Sequence, residues 1–142
     1  MATPPVDPVE PISARVPKVM GEWRQAILNK NADTVEALDS VFAVHPGEFI
    51  AALMASAGGD PDERVRSFST RVLGKLRSKE SAELMRKLLD DRSEYVRFNA
   101  AWALGELSDH AAASRLRRLQ KADPSANVRR SAEDSLRRME GG

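Results

Sequence analysis

With 142 residues, 42% of them hydrophobic and 30% charged, the chain has the size and balance of one folded domain, neither disordered nor membrane-embedded. It has no cysteine, which excludes disulfides, thiolate metal sites and cysteine nucleophiles. The net charge of +1 hides an asymmetry, because residues 1–59 carry 4 Lys/Arg against 7 Asp/Glu, leaving 18 against 14 for residues 60–142; the later part is mildly basic, which suits an anionic partner.

Five of the eight prolines, Pro4, Pro5, Pro8, Pro11 and Pro17, fall at the start. Each removes a backbone donor and biases its predecessor away from helix, so residues 1–12 are expected to form a disordered tail. A helix is predicted from Ser13, a capping residue, or from Pro17, which suits a first turn. Val16, Met20, Trp23 and Ile27 then form a single apolar stripe. Asn29-Lys30-Asn31 ends that helix, and Asp33 is placed to cap the next, whose stripe is Val35, Leu38, Val41 and Phe42. His45-Pro46-Gly47 breaks the chain, and a third helix over Glu48–Ala57 stops at Gly58-Gly59.

From Asp60 onward the sequence repeats. Asp60-Pro-Asp-Glu-Arg-Val65-Arg66, Asp91-Arg-Ser-Glu-Tyr-Val96-Arg97 and Asp123-Pro-Ser-Ala-Asn-Val128-Arg129 align without gaps, with starts 31 and 32 residues apart. Each Val is followed eight residues on by Leu73, Leu104 or Leu136, and eleven on by Leu76, Leu107 or Met139, offsets that share one helical face. Second helices are predicted over Ser81–Leu89 and Ala111–Lys121. Two helices in so short a unit cannot enclose a core, so the units must stack. The expected architecture is all-α, a short α-solenoid of helix pairs. Its parts are a capping helix over 13–32, a divergent repeat over 33–59, repeats over 60–90 and 91–122, and a C-terminal cap over 123–140.

An Asp-rich turn, then Val65-Arg66 and Leu73-Gly74-Lys75-Leu76, and again Val96-Arg97 and Leu104-Gly105-Glu106-Leu107, resemble the HEAT-like repeats of the phycobilisome-lyase type. The third copy, Val128-Arg129 with Leu136-Arg137-Arg138-Met139, departs at the glycine. The resemblance covers residues 60–140 and extends to 33–59 by length alone. It implies second helices lining a concave face that usually holds another protein. It also implies relatives of several kinds: lyase subunits, binders of damaged DNA, and metal hydroxylases that use paired His-Glu dipeptides. This chain has His45-Pro46 and His110-Ala111 instead.

Three residue sets are candidates for function. Arg66, Arg97 and Arg129 recur with Asp60, Asp91 and Asp123; the resemblance implies that each arginine bonds a turn carboxylate, a structural ladder. Arg86 and Lys87 align with Arg117 and Arg118, and with Arg115 and Lys121 they would form a basic strip on the concave face. Either that strip binds an acidic partner or it is a solvated face balanced by Glu83, Asp90 and Asp91. Tyr95, Phe98 and Trp102, at i, i+3 and i+7, replace mostly polar residues of the other repeats and are expected as an exposed aromatic patch that binds a partner, the alternatives being that the tail or first helix folds over them or that Phe98 tucks into the seam between repeats.

No Ser-His-Asp set, paired carboxylates or phosphate loop can be argued from spacing, so no catalysis, metal or cofactor is expected. No apolar run approaches the roughly 20 residues of a membrane helix, and the start lacks a signal-type core. The chain is thus expected to be a non-catalytic, cytoplasmic adaptor or scaffold that binds another protein. A nucleic-acid-binding module and a non-catalytic subunit of a lyase or other enzyme are the alternatives.

Overall fold

The computed structural model describes residues 10–141 and is all-helical over them. The helices are α1 (Ile12–Leu28), α2 (Ala32–Val44), α3 (Pro46–Gly59), α4 (Glu63–Lys75), α5 (Ala82–Leu88), α6 (Glu94–Glu106), α7 (Ala113–Ala122) and α8 (Ala126–Gly141). Short 3-10 turns, Lys79–Ser81 and His110–Ala112, lead into α5 and α7. Most of the expected tail, residues 1–9, lies outside the described residues, and α1 begins at Ile12 rather than Ser13. Pro17 sits inside α1 instead of opening it; both it and Ser13, whose carbonyl its ring leaves unbonded, are exposed, so water can serve that carbonyl. Asn31, not Asp33, caps α2 by accepting a hydrogen bond from the Thr34 backbone N–H at 3.2 Å. Pro46 takes the first turn of α3, so one residue, His45, separates α2 from α3.

The helices form a short α-solenoid of two layers. α4, α6 and α8 stack side by side, while α3, α5 and α7 each pack on the stacked helix that follows them in sequence. The stacked layer is tight because its facing residues are small: Ala100, Ala101, Ala103 and Ala132 are buried. Gly74 and Gly105 are needed where helices meet. A methyl at Gly74 would lie 2.6 Å from a ring carbon of Trp102, and one at Gly105 would clash with Ser135 Oγ. Ser131 and Ser135 are buried with their hydroxyls donating to the carbonyls of Phe98 and Ala101 on α6, at 2.9 and 2.7 Å, so the polar atoms carried into this interface are satisfied.

At the N-terminal end, Trp23, Phe42 and Phe49 of α1, α2 and α3 are fully buried, their rings stacked edge to face and tilted at centroid distances of 5.1 and 4.9 Å. α1 ends as α4 and α6 do. Lys30, Arg77 and Ser108 each adopt a positive φ (57°, 51° and 49°). The next backbone N–H then reaches back to the carbonyl of Ala26, Leu73 or Leu104, a Schellman closure. In its ending, α1 is therefore built like the first helix of a repeat, and α2 is the helix without a counterpart later in the chain.

Candidate functional site

The repeated arginines and aspartates form a ladder with a direction. Each turn aspartate first folds its own loop: Oδ1 of Asp60, Asp91 and Asp123 accepts from the backbone N–H of Asp62, Ser93 and Ser125 at 2.8–2.9 Å. The same carboxylate then receives a two-pronged guanidinium from the preceding unit. Arg66 donates to both oxygens of Asp91 at 3.1 Å, and Arg97 to those of Asp123 at 2.9 and 3.3 Å. The remaining Nη1 of each arginine donates to its own turn, Arg66 to the Asp60 carbonyl and Arg97 to the Asp91 carbonyl, both at 2.9 Å. Arg129 repeats that last bond, to the Asp123 carbonyl at 2.6 Å, but no following turn meets it among the described residues.

Asp60 is met from α1, where Arg24 donates to its two oxygens at 2.8 and 3.3 Å. Burial alone would raise the Asp60 pKa, but the Arg24 hydrogen bond, the Asp62 N–H and the Arg24 charge outweigh it and hold the carboxyl below its usual range. Neighbouring Asp62 is pulled down to about 2, chiefly by its hydrogen bond from Arg64. Sequence reasoning missed Arg24. The available signal was Trp23-Arg24, an apolar residue followed by arginine, standing where Val65-Arg66 stands in the next unit.

The basic strip divides. Arg86 pairs with Asp109 at 2.8 Å, and its carbonyl accepts from Arg115 Nη1 at 2.9 Å, so Arg86 ties α5 to the turn that leads into α7 and Arg115 bridges α7 to α5, helices that lie farther apart than the stacked ones. Lys87 is exposed and close only to Glu83, at 3.7 Å. Arg117, Arg118 and Lys121 are exposed on α7. Arg118, with Arg92, Arg97 and Arg115, lines a groove of about 620 Å³ between the ends of α5 and α7, with Asp90, Asp91 and Asp123 interspersed among them. Of the residues expected in the strip, Arg86 and Arg115 are held by neighbours, while Lys87 on α5 and Arg117, Arg118 and Lys121 on α7 stand exposed.

The aromatic set also divides. Tyr95 is 59% and Phe98 39% exposed; Phe98 borders two shallow hollows, one shared with Asn127, Arg130 and Asp134 and one with Tyr95 and Ser125. Trp102 is less open, though it lines the first of these hollows together with Phe98. It is partly buried against the core, its ring laid over Gly74 of α4, because the glycine leaves a gap that a large flat side chain fills. His45 and His110 stand apart at helix starts, and among the described residues no three His, Asp or Glu side chains gather as metal ligands would. The described residues therefore do not fit a metal centre. No described helix is long and apolar enough to cross a membrane.

Two curated relatives bear on function. The chain is 28% identical over 139 residues to deoxyhypusine hydroxylase-B of Oryza sativa subsp. japonica, covering 95% of this chain and 45% of that enzyme. It is also 28% identical over 133 residues to deoxyhypusine hydroxylase of Eremothecium gossypii, covering 83% of this chain and 41% of the enzyme. The chain thus spans less than half the length of either. Both relatives are enzymes, which overturns the expectation of a non-catalytic adaptor, scaffold or subunit and of no enzyme. That expectation rested on finding no Ser-His-Asp set, paired carboxylates or phosphate loop in the sequence. HEAT repeats match residues 50–137, well over half of the chain, and this span holds the stacked helices and the arginine ladder. The chain belongs to the HEAT-repeat family.

Proposed function

We propose that the chain is a HEAT-repeat unit of a hydroxylase of the deoxyhypusine-acting kind, and that its α5 and α7 face seats the substrate. One observation carries this reading. The alignment with the Oryza sativa enzyme covers 95% of the chain and so reaches well ahead of residue 50, where the family match begins; it takes in α1 and α2, which lie outside that match. The Val-Arg and Leu-Gly-x-Leu pattern further suggests the phycobilisome-lyase-like branch of these repeats, and a cysteine-free chain suits the cytoplasm.

No oxidative step is assigned to the described residues, since they present no metal-ligand set. What they supply is a surface. Arg117, Arg118 and Lys121 stand exposed beside the groove of about 620 Å³, and such a cationic wall suits an acidic protein that carries the side chain to be modified. The test offers the purified chain a deoxyhypusine-bearing protein and its unmodified form, with first-row divalent metals added singly. Binding is followed by calorimetry and turnover by the mass gain of one oxygen atom. Tighter binding of the deoxyhypusine form, weakened by Arg117→Ser with Arg118→Ser and by salt, supports the reading. Equal binding of the two forms together with no turnover refutes it.

A further inference from the structure

On the opposite end of the molecule, a groove of about 550 Å³ opens between α1, α2 and α4. Its origin is a missing helical turn. Counted from the ladder arginine, α4 runs nine residues from Arg66 to Lys75, whereas α1 runs four from Arg24 to Leu28 before the same left-handed closure at Lys30. The five residues lost, about 7 Å of helix, leave the second half of α4 without the cover that α4 itself receives one unit later, where Trp102 lies over Gly74. Ile27, Val35 and Phe68 line the floor of the gap.

The rim is cationic and incompletely paired. Lys30, Arg64, Arg71 and Lys75 line the groove against Glu36 and Asp39. Arg64 is held by Asp62, outside the groove, at 3.0 Å. Arg71 stacks on the Phe68 ring at 4.6 Å and stands 3.8 Å from Asp39, too far for a hydrogen bond, and its Nε is buried with no acceptor. One oxygen of Asp39 accepts from the Trp23 indole N–H at 2.8 Å, and the other faces Arg71. Lys30 and Lys75 make no ion pair within 4 Å among the described residues, although the Lys75 charge acts on Asp39, so the groove offers the open end of the Arg71 guanidinium, two ammonium groups without a close partner and an apolar floor. That combination calls for a carboxylate attached to apolar side chains.

We propose that this groove docks a short amphipathic segment of a partner protein, replacing the missing turn of α1, with an acidic side chain between Arg71 and Lys75 and apolar side chains on Ile27, Val35 and Phe68. A peptide fits better than a small acid because the vacancy is the length of a helical turn and the cations line its rim rather than converge at one point.

The experiment titrates the ¹⁵N-labelled full chain with the peptide Ac-Leu-Glu-Leu-Ala-Glu-Leu-Ala-amide, its glutamine counterpart, and hexanoate. Expected are saturable shifts of the Trp23 indole N–H and of the amides of Lys30, Phe68, Arg71 and Lys75 with the acidic peptide. Affinity should fall about tenfold for Arg71→Gln and for Lys75→Glu, in variants whose melting confirms folding; Lys75 is exposed, so at least that variant folds. Arg117→Ser, on the distant α7, should bind unchanged. Absence of these shifts, equal response to the glutamine peptide, or a response to hexanoate as strong as to the acidic peptide overturns the proposal.

Discussion

Arg66 and Arg129 occupy the same place in the first and last of the aligned units, yet their surroundings differ by one carboxylate. Arg66 is 5% exposed and bonded to Asp91 through two nitrogens and to its own turn through a third. Arg66→Ala would leave a largely shielded carboxylate and two turn carbonyls without their donor, so it should lower unfolding free energy by about 2–3 kcal/mol. Arg129→Ala loses one carbonyl bond and should cost about 1 kcal/mol; urea denaturation of the two variants measures the difference. The Arg24–Asp60 rung carries a pH signature. Because the folded Asp60 pKa is lowered, its stabilising contribution is complete above the ordinary aspartate pKa and is lost as pH falls through the folded value. Asp60→Asn should therefore melt below the parent at neutral pH, with the gap closing in acid below the ordinary aspartate range. A gap that stayed constant through the acid titration would show that the carboxylate's charge is not what matters.

At the level of helices, glycines separate contacts that must be close from those that need not be. Gly74→Ala forces a methyl to within 2.6 Å of Trp102 and 2.9 Å of the Ala103 Cβ, and should destabilise by about 1–3 kcal/mol as α4 and α6 move apart. Gly21 lies inside α1 with nothing within 4 Å of an added methyl, so Gly21→Ala should stabilise by about 1 kcal/mol. Thermal melts of the pair test both signs. Trp102→Arg should cost about 3 kcal/mol and Phe98→Ser much less, since Trp102 closes over Gly74 while Phe98 is 39% exposed. The positions of α4, α6 and α8 were legible in the sequence because the Asp-turn, Val-Arg and Leu spacing report one buried face. Three things were not. The loop and carboxylate atoms that each arginine selects depend on how units stack; the engagement of Arg86 and Arg115 depends on the α5 to α7 distance; and the groove beside Arg71 depends on where α1 stops, which Lys30 decides by adopting a conformation that its residue type does not advertise.

Over the whole molecule, each unit touches mainly its neighbours, so stability should be transmitted locally along the stack. Asp123→Ala, which removes the rung joining the turn before α8 to Arg97, should raise amide hydrogen exchange in α7 and α8 while leaving α1 to α3 nearly protected as before; uniform loss of protection would mean the chain unfolds as a single block. The same rungs impose an order in time. Every guanidinium belongs to an earlier segment and its carboxylate to a later one, separated by 36 residues for Arg24 and Asp60, 25 for Arg66 and Asp91, and 26 for Arg97 and Asp123. A chain leaving the ribosome therefore exposes each arginine well before its acceptor, and nascent chains should gain resistance to protease in steps as Asp60, Asp91 and Asp123 in turn clear the exit tunnel.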